Sequence, residues 1–143
     1  IENYGDDPNI KFLVNVEDND RFVNALQRKA DVVIQKSLRE GFALTITEAL
    51  YKGAAVVASN VGGIPLQIKD GENGFLREPS DYEGFKEITV KLLKDKELKQ
   101  AISRNAVKKA KDEFMVTRLM SDWLDLFNRH LTKVATAEEE RAE

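Results

Sequence analysis

The spacing of apolar and polar positions divides the chain into alternating short β-rich runs and amphipathic stretches. Ile10-Lys11-Phe12-Leu13-Val14-Asn15-Val16 follows the turn-forming Gly5-Asp6-Asp7-Pro8-Asn9 and predicts a strand. From Asp20 to Lys29 the residues Phe22, Val23, Leu26 and, just beyond, Ala30 recur on one helical face, with Asn19 or Asp20 available to cap it. Asp31-Val32-Val33-Ile34-Gln35 is continuously apolar through its middle, as a strand of a parallel sheet covered on both faces must be. A loop, Ser37 to Leu44, leads to a helix over Leu44–Lys52 closed by Gly53 at the position after its cap. Ala54–Ser59 is a further strand, Asn60-Val61-Gly62-Gly63 a loop, and Ile64 with Pro65 the start of a short helix. Asp70-Gly71-Glu72-Asn73-Gly74 is a tight turn before a last short strand, Gly74-Phe75-Leu76.

The second half reads as helices. Ser80 and Glu83 have capping-box spacing ahead of a helix whose face carries Phe85, Ile88, Thr89, Leu92 and Leu93. Asp95 caps the next, with Leu98, Ala101, Ile102, Asn105 and Ala106 inward. Val116, Leu119, Met120, Trp123 and Phe127 predict the buried stripe of a helix over Val116–Leu131, and Trp123 and Met120 read as core. Ala135–Glu143 has nothing to pack and reads as a disordered tail, so residues 1–133 form the domain and 134–143 the tail. The chain begins at Ile1, which suggests a piece of a longer protein or a processed product.

Strands alternating with helices predict an α/β fold: a Rossmann-like parallel sheet with helices on both faces. Ligands of such sheets sit beyond the C-terminal strand ends, where the loops 15–19, 37–44 and 60–63 would converge.

Composition narrows the chemistry. The 143 residues suit one domain, and a net charge of −3 with dispersed Lys and Arg offers no footprint for nucleic acid or an anionic membrane. There is no cysteine for a disulfide or thiolate. One histidine, His130, provides neither a zinc constellation nor a convincing catalytic triad. No apolar run reaches the length of a membrane-spanning helix, and the expected setting is cytoplasmic.

The stretch of interest is Ser37-Leu38-Arg39-Glu40-Gly41-Phe42-Ala43-Leu44-Thr45-Ile46-Thr47-Glu48. A helix starting near Leu44 presents the free amides of Leu44, Thr45 and Ile46 to the rim, a place that favours an anion such as phosphate. Gly41 lets a ligand come close to the backbone and Phe42 anchors the turn in the core. Glu48 lies roughly 6 Å further along the axis, where a carboxylate suits the hydroxyls of a ribose; Glu40 on the loop side suits those of a second sugar. From spacing alone a structural reading is the favoured one, with Glu48 serving the helix dipole and Glu40 pairing with Arg39 or Lys36.

Glu40-Gly41-Phe42 through Glu48, a Glu, seven residues and a Glu, resembles the signature of the retaining GT-B glycosyltransferases, the family of the sucrose, glycogen and trehalose synthases. Gly53-Ala54-Ala55-Val56-Val57-Ala58-Ser59-Asn60-Val61-Gly62-Gly63-Ile64 and Asp70-Gly71-Glu72-Asn73-Gly74-Phe75-Leu76 fit it in order and spacing. Asn24 to Arg28, Val33 to Phe42 and Gln67-Ile68 are most similar to the nucleotide-sugar-dependent trehalose synthases and the trehalose phosphorylases.

That resemblance implies a truncated C-terminal, donor-binding domain lacking its first strands, and retaining, reversible transfer of glucose from a nucleotide-diphosphate-glucose to glucose to give trehalose, the alternatives being a trehalose phosphorylase or another hexosyltransferase of the same family. Glu40 would be the catalytic-site residue, holding the donor sugar together with Gly41 and Phe42. Leu44 and Thr45 would bind the diphosphate, Glu48 the ribose, and Asn15 to Glu17 part of the base. No metal, cofactor or protein nucleophile is implied, and catalysis would rest on positioning and electrostatics.

Gly62 and Gly63 would allow close approach to the donor. Ala43 stands where the family usually has Gly, and Ala55 where Pro is common. The basic pair that neutralises the diphosphate and the N-terminal domain would precede Ile1, so the chain by itself is expected to be inactive. Lys36 and Arg39 read as solvated rather than as replacement cations. The alternative expectation is a non-catalytic module that forms a homodimer through an uncovered strand edge.

Overall fold

A computed structural model describes residues 7–142, with side chains for 7–131. The elements run α1 (Asn19–Lys29), β1 (Val32–Gln35), α2 (Leu44–Tyr51), β2 (Ala55–Ser59), α3 (Ile64–Gln67), β3 (Phe75–Arg77), α4 (Tyr82–Lys94), α5 (Lys96–Glu113) and α6 (Val116–Ala142). The three strands form one parallel sheet in the order β1-β2-β3, with Val33 opposite Val56 and Ala58 opposite Leu76.

All five residues of the central strand are buried, and their alternation divides the core in two. Val56 and Ala58 face Ile46, Leu50, Ile64 and Ala106 of α2, α3 and α5. Ala55 and Val57 face Phe85 and Leu92 of α4 and Ile102 of α5. A strand packed on both sides needs an unbroken apolar run, and Ala55-Val56-Val57-Ala58 supplies it. Truncating a fully buried residue here, such as Leu50, to Ala would cost about 2–5 kcal/mol.

The helix signals define where the site begins. α2 stops at a Schellman turn: the Gly53 amide donates to Leu50 and the Ala54 amide to Ala49, each at 3.0 Å, with Gly53 at φ 78°. Asp95 caps α5 through the Leu98 amide at 2.9 Å, as its spacing predicts. The cap of α4, however, is Asp81, whose carboxylate accepts from the Gly84 amide at 2.9 Å. Ser80 sits one position too early, and Glu83 pairs with Lys86 rather than reaching back.

Ile10–Val16 is not a strand. The Asp7–Ile10 turn forms, with a 3.0 Å bond from the Ile10 amide to the Asp7 carbonyl, while Gly5 and Asp6 lie outside the described residues. Beyond the turn Phe12, Leu13 and Val14 are exposed, and Asn15 turns into the left-handed region at φ 53°. β-branched composition makes a strand only where a ladder partner exists, and among the described residues none pairs with this segment.

The stripe expected to bury α6 is also open: Val116, Leu119, Met120, Trp123 and Phe127 are all more than half exposed, Trp123 and Phe127 stacking on each other at 5.7 Å. Periodicity identifies an apolar face but not its partner. The backbone of α6 continues to Ala142, past the Leu131 at which the apolar spacing ends and into the tail expected to be disordered. Leu93 is exposed on α4, and Asn105 on α5 points outward, its amide donating to the Glu72 carbonyl. No described helix is long and apolar enough to cross a membrane.

Candidate functional site

The loops after β1 and β2 meet at the C-terminal rim, and the contact between them is backbone on backbone. The Gly63 amide donates to the Gly41 carbonyl at 2.6 Å. A Cβ on Gly62 would stand 1.8 Å from the Glu40 carbonyl oxygen, and one on Gly63 would stand 2.5 Å from that of Gly41. The two glycines are therefore needed to seat the Glu40 loop. The close approach that they allow is that of one loop backbone to the other.

Glu40 is half-buried and has no cationic partner among the described residues. Its carboxylate accepts from the Gly41 amide at 3.1 Å on one oxygen, and from the Ser37 hydroxyl at 3.3 Å and the Gln35 carboxamide at 3.4 Å on the other. Lys36 lies instead over the Tyr82 ring, 4.1 Å from its centroid. Arg39 is exposed and makes no ion pair among the described residues, so the surface pairing considered for Glu40 does not form.

Phe42 is 40% exposed and its ring meets Phe114 at 5.8 Å, so it packs at the junction of α5 and α6 and not in the core. Gly41 has open space around it: a Cβ there would meet nothing within 4 Å.

Ala43, at φ 66° and ψ 67°, is the left-handed residue that turns the loop into α2. Its carbonyl accepts from the Ile46 amide at 3.0 Å, so Ile46 is not among the free donors. The amides of Phe42, Ala43, Leu44 and Thr45 have no acceptor among the described residues. Four successive free N–H groups at a left-handed turn and a helix N-terminus form a concave donor surface that suits an anion.

Glu48 is exposed one turn further on and pairs with Lys52 at 3.4 Å. It lines a cavity of about 470 Å³ with Asn19, Asp20, Val23, Thr45 and Lys52. Lys52 is itself largely buried and held by Gln27 at 2.5 Å, so it steadies Glu48 from below without withdrawing it from the cavity. Asn15 to Glu17, expected at the base pocket, do not line this cavity; the first turns of α1 do.

Three glutamines connect the site, and sequence reasoning assigned none of them a role in it. Gln27 donates to the Thr45 carbonyl at 3.1 Å. Gln35 bridges Glu40 and the Thr45 hydroxyl, the latter at 3.4 Å. Gln67, fully buried, donates to the Phe42 and Ala43 carbonyls and accepts from the Thr47 hydroxyl at 2.7 Å. The available signal was a carboxamide at the end of an apolar run, as in Ile34-Gln35 and Leu66-Gln67-Ile68. No group of His, Cys, Asp or Glu able to hold a metal ion occurs among the described residues.

The rim of free amides between two carboxylates thus stands at the strand ends of a parallel α/β sheet. Residues 1–109 match the model of the group 1 glycosyl transferases. The chain belongs to that family. It is 43% identical over 129 residues to the trehalose synthase of Thermococcus litoralis, covering 90% of this chain and 31% of the relative. With the trehalose phosphorylase of Grifola frondosa it shares 35% identity over 108 residues, 76% of this chain and 15% of that protein. Among solved structures it superposes on Anabaena HepE in complex with UDP and glucose with a TM-score of 0.77 at 26% identity, covering 90% of this chain and 34% of HepE.

The fold is accordingly that of part of a GT-B glycosyltransferase, and the chain spans about a third or less of the length of these relatives.

Proposed function

We propose that this chain is the donor-binding domain of a retaining glycosyltransferase that moves glucose from a nucleotide-diphosphate-glucose to glucose, forming trehalose reversibly. The observation that carries the reading is the run of amides from Phe42 to Thr45 with no acceptor among the described residues, flanked by a carboxylate with no cation among them, Glu40, and a second, Glu48, that faces a cavity. The amides would take the diphosphate, with Leu44 and Thr45 the closest donors. Glu40, Gly41 and Phe42 would hold the donor sugar, and Glu48 the ribose. Likeness to a trehalose synthase and to a trehalose phosphorylase supports the substrate class, the phosphorylase reaction being the alternative. A neighbour solved with UDP and glucose supports the nucleotide-sugar.

Transfer would be governed by orientation and charge stabilisation at the rim, in the cytoplasm, with an N-terminal domain supplying the acceptor side. Residues 1–133 form the domain in this reading, and the isolated chain would turn over negligibly because the basic pair expected upstream and the acceptor domain would be missing.

Titration with UDP-glucose and with UDP tests the proposal. Parent chain should bind both, and Glu40→Ala should remove the increment due to glucose while Glu48→Ala weakens both. Equal affinities of Glu40→Ala and parent for UDP-glucose would overturn the assignment. Turnover of labelled UDP-glucose and glucose at a full-length level would overturn the inactivity.

A second reading, self-association, is favoured by the uncovered side of β1, where Ile34 is half exposed beside a cavity of about 430 Å³ lined by Val23, Leu26, Ala30 and Val33. Light scattering that finds a dimer with no nucleotide affinity would select it.

A further inference from the structure

The free amides at the rim do not point outward by chance of the loop. A trans peptide directs its C=O and N–H to opposite sides, so whatever captures a carbonyl aims the amide of the next residue the other way. Three successive carbonyls, those of Gly41, Phe42 and Ala43, are reached from the α3 side, the last of them already accepting from the Ile46 amide at 3.0 Å. The Gly63 amide takes the first, and the Gln67 carboxamide takes the second and, at 3.4 Å, the third. The amides of Phe42 and Ala43 must then face away from α3.

Only one orientation of the Gln67 carboxamide satisfies its surroundings. Its oxygen accepts the Thr47 hydroxyl at 2.7 Å, which leaves the NH₂ for the two carbonyls; the flipped form would set oxygen against oxygen twice. The side chain is fully buried, so water does not compete for either end. Its backbone is fixed as well: Asn73 donates to the Gln67 carbonyl at 2.9 Å and accepts from the Lys69 amide at 2.7 Å, which pins the end of α3.

We propose that Gln67 is a positioning residue of the donor site, whose carboxamide holds the Phe42 carbonyl inward and so aims the Ala43 amide at the diphosphate. The inference rests on the donor-site reading above and adds the residue that sets the direction of its donors. A carboxylate at this position would repel the same two carbonyls, and an apolar side chain would release that of Phe42, while the Ala43 carbonyl would keep the Ile46 amide.

The test compares uridine with UDP on the full chain, by calorimetry and by the amide shifts of Phe42 to Thr45. The quantity read is the ratio of the two affinities, which isolates the diphosphate. Gln67→Met keeps length and apolarity but loses both ends of the amide; it should lower the ratio about tenfold and leave uridine binding unchanged. A parent ratio of at least ten that Gln67→Met retains within twofold would overturn the inference alone. A parent ratio near one would defeat the donor-site reading first. Loss of uridine and UDP binding in the same proportion would mean that Gln67 only supports the fold, and would also overturn it. Should Gln67→Met not fold, Thr47→Val frees the carboxamide oxygen at a half-buried position and should lower the ratio about threefold. No change of ratio in Thr47→Val would count against the inference equally.

Discussion

Replacing Gly62 by Ala tests the central contact of the rim. The added Cβ would stand 1.8 Å from the Glu40 carbonyl oxygen and 2.8 Å from its carbon, so the loops must part by about 1.6 Å to reach ordinary contact near 3.4 Å. Forcing them apart in a packed region costs about 1–3 kcal/mol. The residue also sits at φ 56°, where an L side chain costs about 1–2 kcal/mol. Alanine recovers about 0.4–1 kcal/mol by restricting the unfolded chain. The expected net loss is about 2–4 kcal/mol, a large share of the roughly 5–15 kcal/mol of a typical domain. In thermal terms that is a drop of roughly 5–15 °C.

Urea unfolding followed by circular dichroism, with m held in common, reads the change directly. Gly41→Ala is the control: nothing lies within 4 Å of its added Cβ, so its midpoint should stay within about 0.5 kcal/mol of the parent. A Gly62→Ala protein as stable as Gly41→Ala would refute the claim that the second loop is packed against Glu40.

Ala43→Gly should raise stability by about 1 kcal/mol, since Ala43 occupies the left-handed region at φ 66°; a loss in the same urea assay would mean that the turn differs from the one described. Asp81→Ala should cost about 1 kcal/mol by removing the cap on Gly84, and Ser80→Ala close to nothing; the reverse order would restore the capping box that the spacing suggests. Acid titration tests the tie from the start of β1 to α5. Hydrogen bonding to Lys99 at 2.5 Å, with its positive charge, holds the Asp31 carboxyl below its ordinary value. The contribution is therefore present above the unfolded pKa and lost as pH falls through the folded one, and Asp31→Asn should flatten that part of the acid limb. An unchanged pH profile would show the pair to be of no consequence in solution.

Much of this arrangement was legible from pattern. The run Ala55 to Ala58 could only be a doubly covered strand, and Gly53 only the end of α2, because local sterics decide both. Ala43 stood out as a departure from the glycine that the resemblance leads one to expect, and its left-handed φ is one that glycine adopts without strain. What pattern could not supply was partnership. Ile10–Val16 has strand composition and α6 an apolar stripe, yet neither finds a covering surface among the described residues. For the site, Glu40 and Glu48 were visible as types at a spacing. The bonds that orient their loop were not, because Gln35 and Gln67 lie five residues before and twenty-seven after Glu40, and nothing local marks a glutamine that serves a distant carbonyl.

The seam between residues 36–43 and 60–63 has a bearing on engineering. Each segment is the mould in which the other is cast, with backbone rather than adjustable side chains at the joint. Donor preference would therefore not be transplanted from a relative by exchanging the glutamate-bearing segment alone. The pair would have to travel together, and an insertion in one without its counterpart should leave the recipient misfolded at the rim.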